Sequence, residues 1–313
     1  MKRFITGLQA SETIGARCSA FRMRTKEFKI ALEEVKTTRK DSYASNDKHV
    51  VIYCENLFIA RKLLAHILDA FSVLHFEVID TDRIDELIDN APGQNDHRLL
   101  WKYSGSGILS VLRLFRTIHQ NPILLYACAM FRQSLLLHSN SYMELDPNEY
   151  PYEQHSFRYR DHVRFAYAII IAYEMIEEMG LAPNNRQQFW ITENGQRRWL
   201  KNEVEKYLKK LNKLHVDGRE DFLWSLRGKI TALESFYFDN GVVKESEFRD
   251  VKHEIRDCYI PMYLAVIYLR QLRSKVFLHG KMHRRAKYCS IHEVFNAQSL
   301  ARMLLLYVSR FDS

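Results

Sequence analysis

The spacing of apolar residues is the feature that most limits what this chain can become. Near its end, Val294, Ala297, Ala301, Leu304, Val308 and Phe311 recur at intervals of three and four, and Leu300 and Tyr307 widen the stripe. That period matches 3.6 residues per turn and predicts a helix over 291–311 with one face packed on a bundle. Ser290 and Glu293 ahead of it stand at the spacing of a capping box. The same period predicts helices over 24–37, 56–75, 80–90, 97–119, 122–138, 158–180, 199–215, 219–237 (Asp217 as N-cap, Glu220 at N3) and 245–258. Pro261 opens a further one, where its missing N–H costs nothing. Lys48–Cys54 and Phe76–Asp80 read as short strands. The 182–198 stretch reads as a loop with a tight turn at Glu193-Asn194-Gly195. The expected fold class is therefore all-α.

The chain has 313 residues, of which 47% are hydrophobic and only 11 are Gly and 6 Pro. That composition supports a sizeable core and excludes collagen-like or linker-dominated chains. Residues 139–157 are polar, Tyr-rich and contain prolines, which places an expected boundary between 1–150 and 151–313. The five cysteines are odd in number and widely spaced without a CxxC, so a disulfide framework is not expected and the cytosol is. The apolar stretches Pro122–Phe131 and Ala166–Tyr173 are too short for a membrane span of about 20 residues, and no signal peptide is expected after Met1-Lys2-Arg3.

Charge narrows the partner class. The formal net charge is +8. Between 270 and 290 stand Arg270, Arg273, Lys275, Lys281, Arg284, Arg285 and Lys287, without an acidic residue. Without those seven, basic residues exceed acidic ones by one, so the excess belongs to one segment of a nearly neutral chain. Such a cluster suits phosphate binding, with Tyr288 and His283 able to stack on bases, or it is a solvated loop.

The same segment carries Arg273 and His279 six positions apart, with Ser274 after the arginine and Gly280 after the histidine. Spacing alone does not distinguish this pair, because Arg113 and His119, and Arg132 and His138, share it. Its context does: a helix end, a glycine stop, a basic segment and then an amphipathic helix. The stretch LRQLRSKVFLHGK followed by SLARMLLLYVSRF resembles the last two helices of the HEPN family (higher eukaryote and prokaryote nucleotide-binding domains). The resemblance is detailed over 265–311 and extends to 158–313 as a bundle.

The resemblance implies a metal-independent endoribonuclease that works as a homodimer on RNA without a cofactor, with Arg273, Ser274 and His279 at the site. A toxin or phage-defence role follows by analogy only. The residue types suit that chemistry: an imidazole moves a proton near neutral pH, and a guanidinium neutralises phosphoryl oxygens bidentately. Six helical residues rise about 9 Å and turn to a direction about 120° away, so the pair meets only at a bend or across a dimer. Two other readings stay open. One is a non-catalytic nucleic-acid or nucleotide-binding module, with Arg273 in an ion pair and His279 at a helix C-terminus. The other is a zinc site from His279, His283, Cys289 and His292, which the surrounding positive charge opposes. Trp190, Trp199 and Trp224 read as packing anchors, and Glu174, Glu177 and Glu178 as a solvated helix face.

Overall fold

The computed structural model describes residues 1–11, 21–34, 48–79, 84–86, 101–142, 159–227, 244–250, 255–277 and 291–311. Three sheets among them overturn the all-α expectation: the protein is mixed α and β. By internal contacts the chain divides into two units, Met1–Cys128 and Ala129–Asp312.

In the first unit, β1 (Lys2–Ser11) is the centre of a six-stranded sheet. It pairs antiparallel with β4 (Lys48–Cys54), which pairs with β3 (Lys29–Glu34), which pairs with β2 (Arg22–Arg24). Its other edge takes β5 (Ile84–Glu86) antiparallel and β6 (Trp101–Ser104) parallel. Helices α1 (Leu57–His75) and α2 (Gly105–Ile118) pack on each other and against β1 and β4.

Strand β4 stands where the sequence places one, and Val50, Val51, Ile52 and Cys54 are wholly buried in it. The expected helix over 24–37 is instead the β2–β3 hairpin. The Thr25 hydroxyl accepts from the Glu27 and Phe28 backbone N–H groups, a side-chain turn that competes with helix. Ile30 then pairs in register with Ile52, both fully buried, so cross-strand packing overrides local propensity. The expected helices over 80–90 and 97–119 likewise yield β5 and β6, with helix beginning only at Gly105. Phe76, expected in a strand, is the left-handed cap of α1, at φ 55°.

The second unit is a helical body. It contains the latter part of α3 (Pro122–Tyr142), α4 (Tyr159–Glu178), α5 (Lys201–Lys213), α6 (Met262–Phe277) and α7 (Ile291–Ser309). Helices α4, α6 and α7 pack on one another, and α5 joins α6. A polar layer crosses this core: Gln298 of α7 donates to the Ser134 carbonyl at 3.1 Å, and the Ser134 hydroxyl donates to the Ala168 carbonyl at 2.9 Å. Gly180 at φ 73° ends α4, where the Leu181 N–H returns to the Ile176 carbonyl.

Two further sheets replace expected helix and loop here. The 182–198 stretch forms most of a hairpin of β7 (Trp190–Glu193) and β8 (Gln196–Trp199). It turns at Asn194 (φ 51°) and Gly195 (φ 79°), the positive angles a two-residue hairpin turn needs. The described parts of the expected helices over 219–237 and 245–258 belong to a three-stranded antiparallel sheet in the order β10 (Lys244–Asp250), β11 (Ile255–Pro261), β9 (Asp221–Arg227); 228–237 and 251–254 lie outside the described residues. The capping signal at Asp217 is an Asx turn: its Oδ1 accepts from the Arg219 N–H at 2.9 Å. Beyond it Phe222 and Trp224 are buried while Asp221 and Leu223 are exposed, a period of two.

Candidate functional site

Arg273 lies in the last part of α6, as the sequence reading requires. It is fixed by two residues of α4 one helical turn apart. Its Nη1 donates to Glu177 Oε2 at 2.9 Å, and its guanidinium carbon stands 5.0 Å from the Tyr173 ring centroid. The side chains of Arg273 and Glu177 remain about one-third exposed, at 34% and 32%. Such a pair is worth at most about 1 kcal/mol, so its main effect is to orient the guanidinium rather than to hold the fold. Tyr173 beneath is fully buried, and among the described residues its hydroxyl has no hydrogen-bond partner. Burial first, then the Glu177 charge, pushes that phenol up to about 12, against the lowering effect of Arg270 and Arg273.

Arg270 precedes Arg273 by three positions and so shares its side of α6. Its Nη1 and Nη2 donate to the Asn184 and Gln187 carbonyls at 3.2 and 3.1 Å, and its guanidinium carbon stands 5.6 Å from the Phe189 ring centroid. Among the described residues, two arginines therefore rest on aromatic rings one turn apart. Ser274 is exposed, and its hydroxyl donates to the Arg270 carbonyl at 3.1 Å. That is a bond back into its own helix, so the hydroxyl is not aimed at Arg273.

The backbone of Lys275 continues α6. His279, Gly280, Lys281, His283, Arg284, Arg285, Lys287 and Cys289 lie outside the described residues, and with them the meeting of Arg273 with His279. Of the four histidine and cysteine positions of the zinc reading only His292 is described. Among the described residues no group of three or more His, Cys, Asp or Glu side chains is placed to hold a metal ion.

The α4 contribution was legible only in part. Tyr173 and Glu177 stand four apart, the spacing that puts both on one helix face, but nothing in the sequence says that α6 lies opposite. Glu177, read as part of a solvated face, is the ion-pair partner of the arginine on which the motif rests.

A second polar cluster lies inside the same unit. Glu293, read as a capping-box residue, is buried in α7. Its Oε1 accepts from the Tyr268 hydroxyl at 2.8 Å, and its Oε2 accepts from Trp224 Nε1 at 3.2 Å. Burial raises this carboxyl to about 7, although the Tyr268, Trp224 and Asn296 hydrogen bonds oppose the shift. Asn296 exchanges two hydrogen bonds with the Ser225 backbone, at 3.1 and 2.7 Å. The cluster therefore fastens β9 onto α7.

No protein-family model matches the chain, and comparison with curated proteins and with solved structures brings out no match. Among the described residues no helix is long and apolar enough to cross a membrane.

Proposed function

We propose that the protein is a metal-independent endoribonuclease of HEPN type. In this reading the ribose 2′-hydroxyl attacks the neighbouring phosphorus and the 5′-oxygen leaves. Arg273 neutralises the phosphoryl oxygens and His279 moves the proton. The product is a 2′,3′-cyclic phosphate.

The observation that carries the reading is the setting of Arg273. It is a part-exposed guanidinium, oriented by Glu177 and Tyr173, in the last part of α6 and within the basic segment. A phosphate replaces or shares the Glu177 contact without moving the helix, because the arginine is already held in place. The homodimer and the RNA partner belong to this proposal.

The test is cleavage of single-stranded RNA by the full chain. Arg273→Ala and His279→Ala each lower the rate at least about 100-fold with unchanged far-UV dichroism, and EDTA leaves it unchanged. Full activity in either folded variant removes the nuclease reading. The same Arg273–Glu177 pair is also what a purely structural arginine makes. It thus favours, as the second reading, a non-catalytic nucleic-acid-binding module, recognised by salt-sensitive RNA binding with no cleavage product.

A further inference from the structure

Beside Arg270 the chain leaves a cleft of about 510 Å³, within the range of small-molecule sites of about 300–1,000 Å³. Its walls are Gln187 to Thr192, leading into and forming β7, and the Arg270 side of α6. We infer that this cleft holds a nucleobase and its attached phosphate, one helical turn from Arg273. The inference rests on the reading of this unit as acting on RNA, and it names where a base is held.

Four features of the cleft point to that ligand class. The first is a fixed aromatic ring, that of Trp190. Phe189 beside it is buried at 1% exposure, between Arg270 and the Tyr207 ring, and backs the wall of the cleft. Trp190 is half-buried and held edge-on against Trp199, at 5.6 Å and 85°. A ring that is already immobile stacks on a flat ligand at little entropic cost, and stacking of this kind is worth about 1–3 kcal/mol per base.

The second is a set of amides with both donor and acceptor character. Gln187 Nε2 is engaged by the Glu203 carbonyl and carboxylate at 3.2 and 3.3 Å, which leaves its Oε1 to accept. Gln188 is exposed, and its amide supplies both donors and an acceptor at the cleft. Adjacent donors and acceptors are what the edge of an unpaired base requires.

The third is electrostatic. Among the described residues, the charged side chain lining the cleft is Arg270, and no carboxylate lines it. Both Arg270 Nη groups donate to neutral backbone carbonyls, so its positive charge is positioned without being cancelled by an acid. An anionic tail on the ligand is therefore favoured over a neutral or cationic one.

The fourth is position. Arg270 and Arg273 are separated by about 4.5 Å along the helix axis, so a base in the cleft sets which phosphate reaches Arg273. The cleft would thus select the base next to the cut rather than take part in the cut.

The probes are AMP, GMP, CMP and UMP, each titrated by calorimetry into the full-length protein. At least one binds at one per chain with a Kd below about 1 mM. Trp190→Leu weakens it about 10-fold or more, and so does Gln188→Ala, an exposed position where misfolding is not at issue. Absence of saturable binding at about 10 mM for all four overturns the inference, as does unchanged affinity in Gln188→Ala and Trp190→Leu. An apolar peptide that competes where nucleotides do not would overturn it too. Nucleotide binding without RNA cleavage leaves the cleft assignment standing and removes the nuclease reading. RNA cleavage without nucleotide binding does the reverse.

Discussion

Glu293 shows how one side chain carries a property that the sequence does not announce. Its position three residues after Ser290 suggests a helix cap, and nothing local says that Trp224 and Tyr268 will enclose it. Buried with a pKa of about 7 against 4.5 unfolded, it holds its proton more tightly in the folded state. Stability from this group is therefore fully present below pH 4.5 and is lost as pH rises through about 7, with a span on the order of 3 kcal/mol. His138 has the opposite sign. Burial lowers it to about 4, so it withdraws stability as pH falls below 6.5. The two oppose each other between pH 4.5 and 6.5, so the test is a difference. Urea midpoints of wild type and Glu293→Gln, subtracted at each pH from 4.5 to 8, rise in favour of the variant with increasing pH. A flat difference would show that the carboxyl titrates normally in the fold.

Secondary structure was legible where packing and period agree. α1, α4, α5 and α7 stand close to where their apolar stripes put them, because each buries one face on a helical neighbour. Strands were missed for two physical reasons. Thr25 and Asp217 use side-chain oxygens to make turns that look in sequence like helix starts. Ile30 and Trp224 then acquire strand conformation from partners distant in the chain, Ile52 and Cys258. Of the candidate site, Arg273 and the basic segment were readable from residue type and order. Tyr173, Glu177 and the cleft at Trp190 required knowing which elements lie opposite.

Gly218 is the tightest point of one of these junctions. The Gly218 and Glu220 carbonyls accept the Tyr263 and Met262 N–H groups, at 2.9 and 2.8 Å, which satisfies the start of α6. A Cβ on Gly218 would stand 2.6 Å from Leu208 Cδ2 and 2.9 Å from Leu211 Cδ1, both in the core of α5. Gly218→Ala is expected to destabilise the unit by about 1–3 kcal/mol through that overpacking, seen as a lower urea midpoint with unchanged slope. A midpoint equal to wild type would mean that the two leucines shift freely.

At the scale of the molecule, strand and helix are distributed unevenly. The first unit is a sheet with helices packed on it. The second is a set of helices with a small sheet fastened to it by Trp224 and Asn296. The charge is uneven too: seven of the basic residues fall between 270 and 290. The net +8 is thus a local property of the chain, and its effect on any polyanion is expected to come from that segment.

The loop at 217–220 has a mechanical consequence. Besides receiving the start of α6, it holds the end of α7, for the Glu220 carboxylate accepts the Tyr307 hydroxyl at 2.6 and 2.7 Å. The beginning of one helix and the finish of the other are thus clasped by the same four residues, while α4 packs along both. Covalent continuity across 278–290 is then not what keeps α6 and α7 together. A backbone cut between Arg284 and Arg285, made through an engineered protease site, would give two pieces that travel as one through size-exclusion chromatography and separate only in denaturant. Separation in native buffer would show that the clasp is too weak. If the pieces stay joined, a chain break at the most basic stretch of the molecule separates what that segment does for activity from what it does for the fold.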